Sequence, residues 1–396
     1  MLPEIIYRGS VKNVRGVAGQ SPYVFEYSDR YSVFDWGEMP DHIEGKGKAL
    51  AVIADLLFRF LNDARSWQPE FLPADLPPEV SDSLRRSDQF RKLQREGLKH
   101  HSNGLVDEDG RPVRAGNRSR YLSVMPVQVV RPRPIKGDGQ LLWDYSAFGD
   151  PAFLGLIPLE VIFRFGTPVG SSLVERVSKD PSYLDDLGLT TAPKVGDRFS
   201  APLVEFSSKL EPTDRFVRRA QARDMAGFSS DEFRRFEGLV SLLALRLKEL
   251  FLTACDLELW DGKFEFAFVA GHGGERDFML VDSIGPDELR VLRQEVQLSK
   301  ELLRQFYQPT AWYENMKRAK EIARSRGSMD WKRICREELK SEPEKLTPEI
   351  RDLAEQIYPS IANSLARWIG EPEPFSEAPS VRELVERVRS CTGIRP

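Results

Sequence analysis

The sequence predicts a mixed chain of helices and antiparallel strands, and three observations carry that reading. Residues 5–36 hold three short runs rich in aromatic and β-branched residues, at 5–9, 10–14 and 23–27, which read as a meander of strands. Residues 231–255 place Phe233, Phe236, Leu239, Leu243, Leu247 and Leu250 at three-to-four spacing, the stripe of one long helix. Residues 256–290 then alternate. Trp260, Phe264, Phe266 and Phe268 fall on one side of a strand, and Asp261, Lys263 and Glu265 fall on the other.

Length and charge bound the rest. A chain of 396 residues can hold two or three lobes with large cores. Lysine and arginine total 57 against 61 aspartates and glutamates, so a net charge of −4 gives no electrostatic reason to expect nucleic acid. No apolar run approaches the roughly 20 residues of a membrane span, and the N-terminus lacks a signal-peptide pattern. The expectation is a cytoplasmic protein that uses no membrane. Cys255, Cys335 and Cys391 are far apart and form neither a metal spacing nor a disulfide frame. His42, His100, His101 and His272 make no ligand cluster, so a zinc site is rejected.

The elements follow in order. Gly9 and Lys12 lie in the first hairpin, where a flexible turn and an ammonium suit phosphates lying beneath; a plain twisted sheet explains them as well. Residues 43–47, Ile-Glu-Gly-Lys-Gly, form a short loop before a helix, and backbone N–H groups with Lys46 suit an anion there. Leu50, Ile53, Leu57 and Leu61 mark the core face of an amphipathic helix over 49–61. Prolines at 69–78 break regular structure, and the charged stretch 81–99 reads as helical, ending in two histidines of the surface or a strand edge. A strand is expected over 121–130, an insertion over 131–152, and a strand from Ile157 to Arg164. Ser229 or Ser230 caps the long helix, with Glu232 in its first turn. Residues 308–344 look like a second, helical insertion. Thr347 caps the last long helix with Pro348 in its first turn, and Ile350, Ala354, Ile357, Tyr358, Ile361 and Leu365 mark its packed face. The tail from Pro372 ends in a short helix over 381–388.

The Gly271-His272-Gly273-Gly274 loop turns the alternating strand back into Phe278-Met279-Leu280-Val281-Asp282. A hairpin centred between His272 and Gly274 is expected to set Glu265 opposite Asp282. Directly opposed side chains sit roughly 5 Å apart at Cβ. Two carboxylates that close repel unless a cation separates them, and Mg²⁺ carrying nucleotide phosphates meets that need. A solvated face with weak ion pairs gives the same row of residues, so spacing alone leaves both readings open.

Several motifs in one order resemble the SAICAR synthetases, the phosphoribosylaminoimidazole-succinocarboxamide synthases of purine biosynthesis. Asp261, Lys263, Phe264, Glu265 and Phe266 match D-x-K-F-E-F; Asp282 follows on the next strand, then Pro286, Asp287 and Arg290 as P-D-x-x-R. Residues 28–35, S-D-R-Y-S-V-F-D, resemble T-D-R-I-S-A-Y-D, and 43–47 resemble I-x-G-K-G. Pro158, Glu160 and Arg164, then Gly170 and Ser171, match P-x-E-x-x-x-R with a Gly-Ser turn. Pro202, Leu203, Glu205 and Lys209 match P-L-x-E-x-x-x-K, with Asp214 beyond.

The resemblance runs from Tyr7 to about Trp368 and implies an α+β fold of the SAICAR synthase kind. An N-terminal antiparallel sheet lobe (1–120) would face a larger mixed lobe (121–300), with ATP in the cleft between them. Residues 301–396 would add the helical insertion, terminal helix and tail. The implied reaction is an ATP-dependent ligation of carboxyaminoimidazole ribotide to aspartate through an acyl phosphate. Glu265 and Asp282 would hold Mg²⁺, with Lys263 near the transferred phosphoryl group or the substrate carboxylate. Lys12, Gly9, Lys46, Lys209 and Asp214 would serve the nucleotide. Arg164, Ser171 and Arg290, with Ser172 and Asp35, would serve the ribotide. The partners implied are small molecules, and a homo-oligomer is compatible with the chain. The sequence departs from the family in having Ser10 for a lysine, Ser283 for a glutamate after Asp282, apolar residues at 49–51, and one extra residue between Arg164 and Gly170. A paralogue joining an amine to another heterocyclic carboxylate, or an inactive scaffold, are the alternatives those departures raise.

Overall fold

In the computed structural model, which describes residues 1–137, 140–211 and 213–392, the chain opens with the expected meander. Strands β1 (Ile5–Arg8), β2 (Lys12–Arg15) and β3 (Tyr23–Tyr27) lead to helices α1 (Lys46–Asn62), α2 (Pro78–Arg86) and α3 (Asp88–Glu96), then to β4 (Ser102–Val106) and β5 (Tyr121–Val124). The five strands pair antiparallel in the order β1-β2-β3-β5-β4. The strand expected over 121–130 stops at Val124, just ahead of Pro126, whose missing N–H cannot join a ladder. Helix α1 begins earlier than its apolar spacing implies and is buried on almost every side, Asp55 included. It lies between this sheet and a later helix, so a single apolar stripe does not describe it. A Cβ on Gly47 would stand 2.6 Å from the Tyr27 carbonyl oxygen, so only glycine lets α1 approach β3 this closely.

The 131–152 insertion contains a hairpin, β6 (Arg133–Gly137) and β7 (Gln140–Asp144); its positions 138 and 139, and tail residues 393–396, lie outside the described residues. A larger sheet follows. Its members are β8 (Gly155–Gly166), β9 (Arg198–Ser208) and β10 (Phe216–Val217), then β11 (Glu258–Ala270), β12 (Arg276–Val281), β13 (Leu289–Arg293) and β14 (Val296–Gln297). Helices α4 (Ser172–Lys179) and α5 (Tyr183–Leu187) separate β8 from β9, and α6 (Arg219–Met225) and α7 (Ser230–Cys255) precede β11. The strand order is β10-β9-β8-β11-β13-β14, with β12 paired to the far end of β11. Helix α7 starts with the expected box: the Ser229 hydroxyl accepts from the Glu232 N–H, and the Glu232 carboxylate accepts from the Ser229 N–H. Such a cap contributes about 1 kcal/mol. The apolar stripe of α7 packs on the phenylalanine face of β11, where Phe236 meets Phe266 edge-on at 5.1 Å and Phe264 stacks on Phe163 at 4.8 Å.

The chain finishes with α8 (Lys300–Tyr307), α9 (Ala311–Ser325), α10 (Trp331–Arg333), α11 (Pro348–Ile369) and α12 (Val381–Thr392). The Thr347 hydroxyl caps α11 as expected. The 308–344 segment forms a second apolar cluster of its own: Trp312, Met316, Ala319 and Ile334 pack against Tyr31, Val33, Trp36 and Ile43. That contact clamps the loop carrying Phe34 and Asp35, both in left-handed backbone conformation. The two sheets meet at the end of β12. The Leu280 N–H donates to the Lys99 carbonyl, the His101 N–H donates to the Leu280 carbonyl, and the His101 imidazole lies 3.0 Å from the Asp282 carbonyl oxygen. His101 is therefore buried between the sheets and is no surface residue, and burial pushes its imidazole down to about 4, so it is neutral. No helix among the described residues is long and apolar enough to cross a membrane.

Candidate active site

The site is built on the face of β11 that looks away from α7. Residues paired across antiparallel strands share a face, so the observed registers sort its side chains into rows about 7 Å apart along the strand. In the first row Arg164 of β8 and Arg290 of β13 flank Asp261. In the second, Ile162 lies opposite Lys263 on one side, and on the other the Lys263 N–H donates to the Glu288 carbonyl at 3.1 Å. In the third, Glu160 and Val281 lie opposite Glu265, so Val281 begins the apolar end of the face. Beyond it Leu156, Ala267, Met279 and Val281 form a small apolar shelf with Val127, Leu210 and Val269. One face thus runs from guanidinium groups, through alternating lysines and carboxylates, to an apolar surface.

The hairpin departs from expectation by one residue. Its loop is centred on Gly273, and that centre pairs Glu265 with Val281 and not with Asp282. The strand ends at Val281 because Asp282 takes a left-handed conformation, φ 65°. Leaving the ladder frees Asp282 from the alternation that would turn it away from Glu265. Its carboxylate accepts from Lys12 Nζ at 2.5 Å, and Lys12 also reaches the Ser283 hydroxyl at 2.7 Å. Lys12 is thereby one side-chain bridge from the N-terminal sheet to the larger one. The Tyr27 hydroxyl adds a contact to Ser283 at 3.0 Å.

Charges alternate through the centre. Lys209 Nζ lies 2.8 Å from Glu265 and 3.2 Å from Glu160, and Lys263 Nζ lies 2.6 Å from Glu160. Burial and then the Asp282 carboxylate push Glu265 up to about 7, against the pull of Lys209. Burial also works against ionised Asp282, but the Lys12 and Lys209 ammonium groups outweigh it and hold that carboxyl well below the usual range. Glu160 is held low in the same way: burial opposes ionisation, and Lys263 and Lys209 prevail. One carboxylate of the pair is thus held ionised while its neighbour resists ionisation, the response of two acids placed close together. Among the described residues no three His, Cys, Asp or Glu side chains form a ready-made metal cage. Two carboxylates fit Mg²⁺, which keeps waters and takes phosphate oxygens for its remaining positions.

At the arginine end, Arg164 is buried and donates to Glu205, to Asp261 at 3.1 Å and to Ser172 Oγ at 3.4 Å. Arg176 joins Glu205 and Ser172. Arg290 pairs loosely with Asp261 and Glu301, at 3.4 and 3.6 Å. Three buried polar atoms there have no hydrogen-bond partner among the described residues: Ser171 Oγ, at the N-cap position of α4, Arg176 Nε and Arg290 Nη1. Unsatisfied donors converging on one place mark room for an anion.

Some expected residues sit elsewhere. Lys46 is wholly enclosed, with its ammonium 2.7 Å from Asp287, so it does not reach the open cleft. Gly9 closes the β1–β2 turn, and its carbonyl accepts from Arg30 at 3.0 Å. Asp35 is 93% exposed, 4.0 Å from Lys320, and Asp214 is exposed as well. Burial and the Glu160 charge raise the Asp214 carboxyl above its ordinary value, with a smaller push from Asp35. Sequence reasoning missed the roles of Glu160, Arg176, Asp287 and Glu288. The signal for Glu288 was its spacing: it stands two residues before Arg290, which puts both on one face.

Comparisons with known proteins show the family. The model of the family described as SAICAR synthetase matches residues 5–85 and 153–319. The chain belongs to the SAICAR synthetase family. Its relatives include an Archaeoglobus fulgidus protein provisionally named a phosphoribosylaminoimidazole-succinocarboxamide synthase, 31% identical over 92% of each chain. A Thermoplasma acidophilum phosphoribosylaminoimidazole-succinocarboxamide synthase is 25% identical over 92% of this chain and all of that one. Among solved structures, the SAICAR synthase of Saccharomyces cerevisiae in complex with SAICAR covers 92% of this chain and 95% of its own, with a TM-score of 0.53 at 20% identity. That likeness supports the α+β fold of this SAICAR synthetase family member, with its antiparallel N-terminal sheet.

Proposed function

We propose that the chain is an ATP-dependent ligase that joins the carboxylate of carboxyaminoimidazole ribotide to the amine of aspartate through an acyl phosphate. The observation that carries this reading is the graded face of β11, with an anion end, a lysine–carboxylate centre and an apolar shelf in one line. Family membership supports it. The apolar shelf suits a nucleobase, the centre suits the triphosphate, and the arginine end suits a phosphorylated acceptor.

Each residue has a part. Arg290, Ser171 and Ser172, backed by Arg164, hold the 5′-phosphate of the ribotide, with guanidinium donors and a hydroxyl at the start of α4. That anchor fixes the acceptor carboxylate near Lys263, about one to two rows along the strand. Lys263, Lys209 and Lys12 neutralise charge as the phosphoryl group passes to the acceptor oxygen. Glu265 and Asp282 are the residues to hold Mg²⁺, which when bound screens the negative charge of the phosphates. Lys12, on the β1–β2 hairpin that Gly9 closes, covers the nucleotide from the other lobe. Lys46 acts from below, holding Asp287 and so the turn from Asp282 to Arg290. Asp214 and Asp35 border the entrance. The partners are small molecules, in a cytoplasmic setting. The test is product formation: mass spectrometry of a reaction containing ATP, Mg²⁺, aspartate and carboxyaminoimidazole ribotide should show the succinocarboxamide and one ADP per amide. ADP formed only with a different carboxylate would replace the acceptor; none with any carboxylate would overturn the ligase.

A further inference from the structure

The turn from Asp282 to Arg290 leaves one carboxylate without a partner. Glu160, Glu265, Asp282 and Asp287 each lie within hydrogen-bonding distance of a lysine. Glu288 has no such donor among the described residues, although it stands in the same cleft. Its place is set by backbone. The Glu288 N–H donates to the Gly285 carbonyl at 3.0 Å, and its own carbonyl accepts from the Lys263 N–H. Leu289 is paired with Gly262, so Glu288 extends β13 opposite Lys263 and shares its face. It therefore stands between the arginine row and the Glu265 row, where an acceptor carboxylate anchored by its phosphate would present its reacting carbon.

We propose that Glu288 is the proton acceptor for the amine that attacks the acyl phosphate, a catalytic residue of the second half-reaction. This rests on the ligase reading. An amino acid carries its amine as an ammonium ion at neutral pH, and an ammonium has no lone pair to attack with. One N–H proton passes to the Glu288 carboxylate. The freed lone pair forms the C–N bond at the acyl carbon, and the C–O bond to phosphate breaks with its electron pair leaving on the phosphate oxygen. A second N–H proton neutralises part of the departing phosphate's charge, and the amide keeps the third. The other four carboxylates are poor candidates because each is already committed to an ammonium group.

The electrostatics around Glu288 favour this use. Burial and the adjoining Asp287 carboxylate push it up to about 7, with Asp282 adding to that and Lys12 and Lys263 opposing. The Tyr27 and Tyr358 phenols lie within its electrostatic reach; burial keeps both protonated, so they add no charge. A base near neutrality accepts a proton and gives it up again within a turnover.

The experiment compares wild type with Glu288→Gln and Glu288→Asp, using two nucleophiles. Aspartate needs deprotonation; hydroxylamine is already the free base at neutral pH and traps acyl phosphates as hydroxamates. With ATP and the ribotide carboxylate, Glu288→Gln should lose about 100-fold or more in aspartate-dependent turnover. Its hydroxamate and ADP formation should stay within a few-fold of wild type, which also shows that it folds. Glu288→Asp should recover part of the aspartate rate. Wild-type rates with aspartate in Glu288→Gln, or equal losses with both nucleophiles, would overturn the proposal and leave the ligase standing. Failure of the wild type to release ADP with any carboxylate would overturn both.

Discussion

Lys46 and Asp287 form an ion pair with almost no exposure, 0% and 5%, at 2.7 Å. Lys46→Met removes the ammonium and leaves the Asp287 carboxylate enclosed with, among the described residues, only the Tyr358 hydroxyl, at 2.9 Å, as a direct side-chain partner. Burial opposes its ionisation, and Lys46 and Lys300 now hold it low. Stranding one partner of a buried pair costs about 3–5 kcal/mol. Asp287→Asn strands the lysine instead, at similar cost. The double variant removes both members of the pair and leaves only the more distant Lys300 ammonium without that carboxylate, so it should recover about 2 kcal/mol of the summed loss. Urea unfolding followed by tryptophan fluorescence measures all four proteins. A loss below about 1 kcal/mol in Lys46→Met, with a raised KM for ATP instead, would refute this: it would mean that Lys46 contacts nucleotide and that the turn does not depend on it.

Two further outcomes are expected. Arg290→Met should raise KM for the phosphorylated acceptor on the order of 10- to 100-fold, the worth of one charge-assisted hydrogen bond, and should leave KM for a dephosphorylated analogue unchanged; steady-state kinetics with both acceptors decides this. The raised values of Glu265 and Glu288 mean that the ligand-free fold binds more protons than the unfolded chain between their ordinary value of 4.5 and about 7. Their contribution is therefore complete below 4.5 and is lost as pH rises through 7, whereas Mg²⁺–ADP needs the deprotonated form. The thermal shift given by Mg²⁺–ADP should accordingly be larger at pH about 8 than at about 6, and a shift independent of pH would contradict it.

Local chemistry made much of this legible from sequence. The Ser229–Glu232 box and the Thr347 cap act within one helical turn, so their spacing determined them. The alternation of 261–268 likewise separated a phenylalanine face from a charged one. The Glu265–Asp282 register was misread by one residue because a loop centred on Gly273 sets Glu265 against Val281; Asp282 lies just beyond, where it leaves the ladder at φ 65°, and alternation cannot foresee that turn. Lys46 looked like a phosphate ligand because Gly-Lys-Gly before a helix suits an anion; what encloses it, Asp287 and Tyr358, comes from elements more than 200 residues away. The helical insertion over 308–344 was expected, but the partners of its Trp312, Met316 and Ala319, among them Tyr31 and Trp36, belong to the other end of the chain. Long-range partners of charged and aromatic side chains are what the sequence could not supply.

The account stands on the shared face of β11 being where a phosphoryl group moves. Glu265→Gln tests it most directly, because the change keeps the shape of the side chain and removes only its charge. With ATP, Mg²⁺, aspartate and carboxyaminoimidazole ribotide, ADP release should fall by about 100-fold or more, while the urea midpoint at neutral pH stays level or rises. Turnover close to wild type in that variant would contradict it.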